Sequence, residues 1–330
     1  MQLSKFDLQI DDFMSYCESK DLSKKTMHSY EATLKLFARY LQDTLQIDNG
    51  TKVNDKIVRE YILYLKDRGK YTVTSNDITR KYNNPHSRND VGKMLSTSTL
   101  NNYIRNIKVF YNFLYETRQI KTNTVKKVQL LKNDRKPQDF ISDDDFIKLI
   151  KSLNTSKYHE YRDYVLIQLL IDSGMRIGET LQILTEDIDI NNRCIYLQAD
   201  NTKSKKGRNI FFSVELSKEL RRWLQCKDRY VDSEYLFCNP SGNTLEIRSI
   251  EKNFRQYGQR ININLHPHQL RNNFAKRFLM AGGNIYTLSK ILGHSSVTVT
   301  EKAYLDLTDA DIKQSYESFS PLSGIKGRRK

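Results

Sequence analysis

Six side chains in the second half of the sequence could act together on one phosphate group. In chain order they are Arg176, Lys203, His268, Arg271, His294 and Tyr304. A tyrosine oxygen can attack phosphorus while guanidinium and imidazole groups stabilise charge on the non-bridging oxygens. A lysine can protonate the departing 5′ oxygen, and the bond energy is kept in a phosphotyrosine. These residue types therefore predict phosphodiester transesterification, a reaction that requires neither a metal nor a high-energy cofactor.

Arg176 lies in the segment SGMRIGE, where a buried helix is predicted to stop at Gly174 and another to start near Ile177. A guanidinium beside a helix N terminus can bind a phosphate through two hydrogen bonds. The alternative is a capping arginine that pairs with Glu179 one turn further on. The segment alone leaves both interpretations open.

A basic run, TKSKKGR, separates two short segments, CIYLQ (194–198) and RNIFF (208–212), whose composition predicts a β-hairpin. Such a run is usually a solvated turn. A catalytic role requires the hairpin to carry one lysine into a cleft, where its ammonium group could act as a general acid.

Pro267 is predicted to begin a helix on which His268 and Arg271 stand three residues apart on one face. A separate apolar stripe on this helix consists of Leu270, Phe274 and Phe278. We expect the apolar stripe to face the core, so the His/Arg face need not do so.

A metal site formed by His266, His268 and His294 is conceivable. No carboxylate or cysteine lies at ligand spacing from these residues, which argues against such a site. A phosphate-binding site uses the same side chains without a metal, and we expect no metal and no cofactor.

The segment LGHSSVTVTEKAY begins where a helix is predicted to end at Leu292, with Gly293 as its left-handed cap. His294 follows directly and could pair with the last carbonyl groups as a cation, or project a donor into a cleft. Tyr304 by itself is most simply an aromatic residue that packs a helix.

These side chains need elements that hold them, and the first third of the sequence has helical periodicity. Ser23 is a plausible N-cap, a third helix is predicted over 53–68, and a further one over 96–116. The polar, turn-rich segment 70–96 predicts a long loop or a small insertion. Together these features predict four amphipathic helices in a compact first domain.

A charged segment over 121–140 is a linker candidate. A second domain is predicted to open at Ser142, which caps a helix with an acidic first turn. Beyond the hairpin the chain is again helical, apart from a stretch near 235–243. The predicted fold class is therefore mainly α with a small β-sheet, in two domains.

Composition favours a nucleic acid as partner. The net charge of +15 and the pI of about 9.4 suit phosphates, which attract Lys and Arg through counterion release. A soluble basic enzyme is the alternative. The four scattered cysteines suit a reducing cytoplasm better than a disulfide framework. The N terminus does not resemble a signal peptide, and the longest apolar run, 164–171, is too short to span a bilayer. We expect a cytoplasmic protein with no membrane partner.

From about Ser142 to Leu307, and more loosely before that, the sequence resembles tyrosine recombinases of the phage integrase family. SGMRIGE resembles the first arginine box of the family, which implies that Arg176 binds phosphate. TKSKKGR followed by a strand resembles the hairpin with the catalytic lysine. The register favours Lys203, with Lys206 as the second candidate.

The remaining motifs complete the resemblance. HQLR resembles the H-x-x-R box, which implies proton transfer or its positioning by His268 and a second phosphate contact by Arg271. LGHSS resembles the box with the third basic residue, His294. Tyr304 stands ten residues after His294, at a spacing that the family uses, and would be the nucleophile.

The resemblance implies a helical, SAM-like core-binding domain over 1–120 with an insertion at about 70–96, a linker over 121–140, and a catalytic domain over 141–330 with a C-terminal tail. It also implies a C-shaped clamp around double-stranded DNA recombination sites and a homotetramer on DNA. Strands would be exchanged through a 3′-phosphotyrosine intermediate and a Holliday junction. The tail would dock on a neighbouring protomer.

The turn-rich insertion and the divergent first domain favour an enzyme that integrates or excises a mobile element, with accessory DNA-bending or element-encoded proteins as possible partners. Xer-like resolution of chromosome dimers is the alternative. A type IB topoisomerase would share the chemistry but relax DNA as a monomer. A catalytically silent DNA-binding protein on the same fold would form no covalent adduct.

Overall fold

The computed structural model describes residues 4–74, 88–132, 140–199, 207–294 and 296–304, together with Lys313 and Tyr316. The chain divides into two compact units, Met1–Arg135 and Lys136–Lys330. Each unit has its own hydrophobic core. None of the described helices is both long enough and apolar enough to cross a membrane.

The first unit is helical, and polar side chains start its helices. Ser4, Ser23, Asn54 and Ser96 each accept a hydrogen bond from a main-chain N–H of the first turn. The described helices are α1 (Lys5–Ser19), α2 (Lys24–Leu45), α3 (Asp55–Arg68) and α4 (Thr97–Glu116), with 3-10 turns at Gly50–Lys52 and Thr124–Lys127. The Ser23 cap is confirmed, and α3 starts later than predicted because Asn54 caps it.

Aromatic side chains fill the core of the first unit. The rings of Phe13 and Phe110 meet edge to face, with centroids 5.5 Å apart, and both are fully buried. Val125 and Val128, which lie in the segment predicted as a linker, are buried in the same core. The compact unit therefore extends past the boundary predicted at residue 120.

Main-chain hydrogen bonds join the two ends of the predicted insertion at 70–96. The N–H of Lys70 donates to the carbonyl of Lys93, and the N–H of Gly92 donates to the carbonyl of Lys70, each at 2.9 Å. The two described ends of the segment therefore meet at one place. Residues 75–87 lie outside the described part of the chain.

The second unit is also mainly helical. Its described helices are α5 (Asp143–Ser152), α6 (Tyr158–Ser173), α7 (Ile177–Thr180), α8 (Val214–Tyr230), α9 (Ile247–Arg260), α10 (Pro267–Met280), α11 (Ile285–Leu292) and α12 (Val297–Tyr304). The helix caps predicted at Ser142, Gly174 and Gly293 are confirmed.

A three-stranded antiparallel sheet has the order β1 (Ile188–Asp189), β2 (Cys194–Leu197), β3 (Arg208–Phe211). Leu197 pairs with Arg208 and Cys194 pairs with Phe211, so the predicted hairpin segments are confirmed. The strand β1 has only two residues, and no alternation in the sequence indicated it. The fold is thus mainly α with a small β-sheet, as the sequence predicts.

A buried polar network fixes α6 to α9 in the core of this unit. The Asp163 carboxylate accepts hydrogen bonds from Arg162, Asn253 and Tyr257 at 2.8–2.9 Å. These hydrogen bonds and the charge of Arg162 offset the cost of burying the carboxylate. α10 packs against the same central helix α6, and this contact places the C-terminal end of α6 beside the His/Arg helix.

Candidate active site

Arg271 joins the C-terminal ends of two helices. Its Nη1 donates to the carbonyl of Gly174, the C-cap of α6, at 2.7 Å, and its Nη2 donates to the carbonyl of Leu292, the last residue of α11, at 2.8 Å. These carbonyl groups have no partner within their own helices and carry the negative ends of the helix dipoles. The buried guanidinium therefore satisfies one carbonyl at each of the two helix ends.

The burial of Arg271 corrects one expectation from the sequence. The His/Arg face of α10 was expected to need no contact with the core, yet Arg271 is only 2% exposed. Helical periodicity gave the wrong result because α10 packs against both α6 and α11. Phe274 and Phe278 of the predicted apolar stripe are partly buried in a separate small cluster with Leu288 and Leu292.

Arg176 reaches the same region from the start of α7. Its Nη1 donates to Glu179 at 2.9 Å, and its Nη2 lies 3.3 Å from the carbonyl of Gly293. The pairing with Glu179 that the sequence left as an alternative is therefore present. The side chain is also 30% exposed, so pairing leaves it accessible to a ligand.

His294 follows the α11 cap and faces the two arginines. Its Nε2 lies 3.0 Å from Arg271 Nη2, and its Nδ1 lies 2.8 Å from the hydroxyl of Thr300 on α12. Burial, and then the charges of Arg271 and Arg176, lower the pKa of His294 to about 4. The imidazole is therefore neutral at pH 7, which favours a hydrogen-bonding role over that of a cation at the helix end.

His268 belongs to the same cluster, although its residue reaches the surface. Partial burial of the ring, and then the charges of Arg271, His266 and Arg176, lower its pKa. Among the neighbouring charges, that of Arg271 lowers the pKa of both imidazoles most, so the three groups share one electrostatic environment.

Three predicted site residues are described only in part or not at all. Lys203 and Lys206 lie in 200–206, outside the described residues. Tyr304 is the last residue of α12, and its main chain is described but its side chain is not. The contact between Thr300 and His294 holds this helix beside the arginines. Arg176, His268, Arg271 and His294 are thus brought together, and the helix of Tyr304 is adjacent.

Sequence reasoning missed one member of this cluster. Arg208, the first residue of β3, donates to Glu179 at 2.6 Å, and its side chain is only 12% exposed. Strand alternation could have indicated this, because Arg208 is two residues from the buried Ile210 and on the same face. Its place in a basic run favoured a solvated turn instead.

The cluster is positively charged, with three guanidinium groups against one carboxylate. Burial opposes ionisation of Glu179, but hydrogen bonds and charges from Arg208 and Arg176 outweigh it and hold the pKa of the carboxyl below its ordinary value. Within the described residues, no group of His, Cys, Asp and Glu has the arrangement of a metal site. The charges suit an anion such as a phosphodiester.

Solved structures of known proteins share this fold. The Tn1549 transposon integrase in complex with circular intermediate DNA superposes with a TM-score of 0.73 at 19% identity, over 96% of this chain and 100% of that chain. The XerH site-specific recombinase bound to palindromic difH substrate gives a TM-score of 0.66 at 18% identity, over 95% and 84%.

Sequence comparison gives relatives over nearly the full length. Tyrosine recombinase XerD of Staphylococcus epidermidis is 24% identical over 319 residues, which are 94% of this chain and 98% of the relative. Tyrosine recombinase XerC of Lactobacillus delbrueckii subsp. bulgaricus is 24% identical over 299 residues, 88% and 92%.

Two family profiles match the chain in the order that the sequence predicts. The N-terminal SAM-like domain of phage integrases matches residues 10–79, and the phage integrase family itself matches residues 139–311. The second match includes every candidate site residue and spans more than half of the 330 residues. The chain therefore belongs to the phage integrase family and is a tyrosine recombinase.

Proposed function

We propose that Arg176, His268, Arg271 and His294 bind one DNA phosphodiester, and that Tyr304 attacks its phosphorus. The observation that carries the proposal is the convergence of Arg176 and Arg271 on Gly293 and Leu292, the two residues before His294. Three elements distant in sequence thereby direct cationic and imidazole groups to one turn. That turn leads directly into the helix that ends at Tyr304.

The cleavage step balances without a cofactor. The Tyr304 oxygen forms a bond to phosphorus, and the bond between phosphorus and the 5′ oxygen breaks. Lys203, with Lys206 as the second candidate, gives a proton to the departing 5′ oxygen. His268 transfers or positions the proton that leaves the tyrosine. The 5′ hydroxyl of a partner strand then attacks the 3′-phosphotyrosine and restores the tyrosine.

The arginines and His294 act on charge in this scheme. Arg176 is accessible and contacts a non-bridging oxygen of the phosphate, and Arg271 supplies the second guanidinium charge. Arg271 also fixes the ring of His294 by donating to its Nε2, so the single proton of the neutral ring lies on Nδ1, beside the hydroxyl of Thr300. These contacts strengthen as negative charge develops in the transition state.

The enzyme recombines DNA at specific sites, and we propose that it acts for a mobile element. The paired ends of the 70–96 insertion and the low identity to the Xer recombinases support this reading. A homotetramer on two DNA sites, with exchange through a Holliday junction, would carry out the reaction. Accessory DNA-bending or element-encoded proteins are further proposed partners. Unpaired thiols at all four cysteines support a cytoplasmic location.

The covalent step is tested with a nicked suicide duplex. Duplexes that bind the purified chain are first selected from a randomised library, and a nick is then placed at each position in turn. We expect an SDS-resistant adduct that is lost in Tyr304→Phe and is unaffected by EDTA. Binding without an adduct at any nick position would refute transesterification.

The biological role is tested with the DNA that flanks the coding region. A plasmid carrying this DNA should release a circular molecule, detected by amplification across the new junction, when the wild-type chain is expressed. Resolution of plasmid multimers without such a circle would favour Xer-like dimer resolution. Relaxation of supercoiled plasmid without any site preference would favour a topoisomerase.

A further inference from the structure

Arg208 enters the site from the sheet. It is the last residue of TKSKKGR, but that motif assigns a role only to a lysine. It begins β3 and pairs across the hairpin with Leu197. Its neighbour two residues on, Ile210, is fully buried, and the Arg208 side chain lies on the same face and is 12% exposed. The strand therefore directs this guanidinium into the protein.

Arg208 shares a carboxylate with Arg176. One oxygen of Glu179 accepts from Arg208 at 2.6 Å, and the other accepts from Arg176 at 2.9 Å. Glu179 is only 4% exposed, so water screens neither contact effectively. If Arg208 were absent, the whole negative charge of the carboxylate would act on Arg176, and Arg176 would offer less positive charge to a phosphate.

Arg208 also lies against the turn that presents His294. A Cβ built at Gly293 would come within 2.9 Å of Arg208 Cζ and 3.0 Å of Nη1, so only a glycine lets the guanidinium approach this closely. Arg176 contacts the carbonyl of the same glycine. Gly293 is therefore fixed by two guanidinium groups directly before His294.

Two nitrogens of Arg208 argue against a purely structural role. Nε and Nη1 are buried and have no hydrogen-bond acceptor within the described structure. Buried donors without partners cost stability, and an aliphatic side chain would fill the same space without this cost. The positive charge of the side chain therefore explains the presence of an arginine at this position better than packing does.

We propose that Arg208 is a positioning residue for strand cleavage. It shares the Glu179 carboxylate, so that Arg176 keeps its charge for the phosphate. It also fixes Gly293, so that His294 faces the same phosphate. This inference rests on the proposed transesterification at Tyr304. Through Arg208, the sheet contributes to catalysis electrostatically, and this contribution is separate from that of the hairpin lysine.

The test compares two suicide duplexes, one with an ordinary scissile phosphodiester and one with a neutral methylphosphonate at that position. Adduct formation is measured in single turnover at saturating protein for the wild type, Arg208→Met and a matched control, Arg222→Met. Arg222 forms an exposed ion pair with Glu219 at 2.7 Å on α8. Fluorescence of Trp223, the single tryptophan, verifies folding of the second unit.

On the phosphodiester we expect Arg208→Met to slow adduct formation by about 10- to 100-fold, with a Kd for DNA within about threefold of wild type. On the methylphosphonate the loss should shrink to less than about threefold, because Arg176 then has less charge to stabilise. Arg222→Met should match wild type on both duplexes. A merely structural role would give equal losses on both.

Equal losses on the two duplexes, or an unchanged rate on the phosphodiester, would overturn the inference. If Arg208→Met does not fold, Arg208→Gln is measured instead, since its amide can still donate to Glu179 but carries no charge. For Arg208→Gln too, equal losses on the two duplexes or an unchanged rate on the phosphodiester would overturn the inference. Absence of a Tyr304-dependent adduct in the wild type would instead refute the proposed function, so the two failures are distinguishable.

Discussion

Truncation of Arg271 should lower the stability of the second unit as well as stop catalysis. Arg271→Ala removes the donors to two buried carbonyl groups, those of Gly174 and Leu292. Hydrogen bonds to a charged group contribute about 1.5–3 kcal/mol each, so the two together give about 3–6 kcal/mol. Water that enters the vacated space recovers part of this. We therefore expect the free energy of unfolding to fall by about 2–4 kcal/mol.

Urea unfolding followed by the fluorescence of Trp223 measures this change. The chain has one tryptophan, and it is fully buried in the second unit, so the signal reports that unit. Arg222→Ala is the matched control, because its ion pair with Glu219 is exposed and should contribute about 0–1 kcal/mol. If Arg271→Ala lowered the free energy of unfolding no more than the control, the structural role argued for this guanidinium would be wrong.

Three further predictions follow from other contacts. The hydrogen bond from Arg260 lowers the pKa of Glu160 to about 2 from 4.5, so this carboxylate stabilises the fold above pH 4.5 and loses its effect as the pH falls towards 2. The difference in urea stability between wild type and Glu160→Gln should therefore shrink over that range, and a constant difference would contradict the assignment. Gly293→Ala places a methyl group at φ +63° against the Arg208 guanidinium, and we expect a loss of thermal stability together with at least about a tenfold slower adduct formation; wild-type values of both would show that the turn is not constrained. The pKa of His294 is lowered from 6.5 to about 4, so only the unfolded state gains a proton there between these values, and stability should fall as the pH drops from 6.5 to 4. In thermal unfolding measured at several pH values, His294→Gln should weaken this dependence of stability on pH. An unchanged dependence would contradict the lowered pKa of His294.

The helices and their ends could be predicted well because their signals are local. Ser23 and Ser142 cap helices as expected, and Gly174 and Gly293 adopt the left-handed conformation at helix ends. Each of these depends on a few neighbouring residues. The strand β1 could not be predicted, because two residues are too few to show an alternating pattern.

The sequence predicts which residues come together in the candidate site, but not which groups hold them in place. Arg176, His268, Arg271 and His294 converge, as residue types and motifs indicated. The groups that hold them are largely carbonyls of the main chain, which have no side-chain signature in a sequence. Arg208 was missed for a related reason, since only tertiary packing shows that a charge in a basic run is buried.

The excess positive charge of the site links its stability to its substrate. The site has three guanidinium groups, and one carboxylate pairs with two of them, so the remaining positive charge is unfavourable when no anion is bound. A phosphodiester converts the repulsion into attraction, and a ligand that binds only the folded state raises its stability by mass action. If the proposed function is correct, binding of DNA should raise the stability of the second unit, because the phosphate to be cut supplies the missing negative charge.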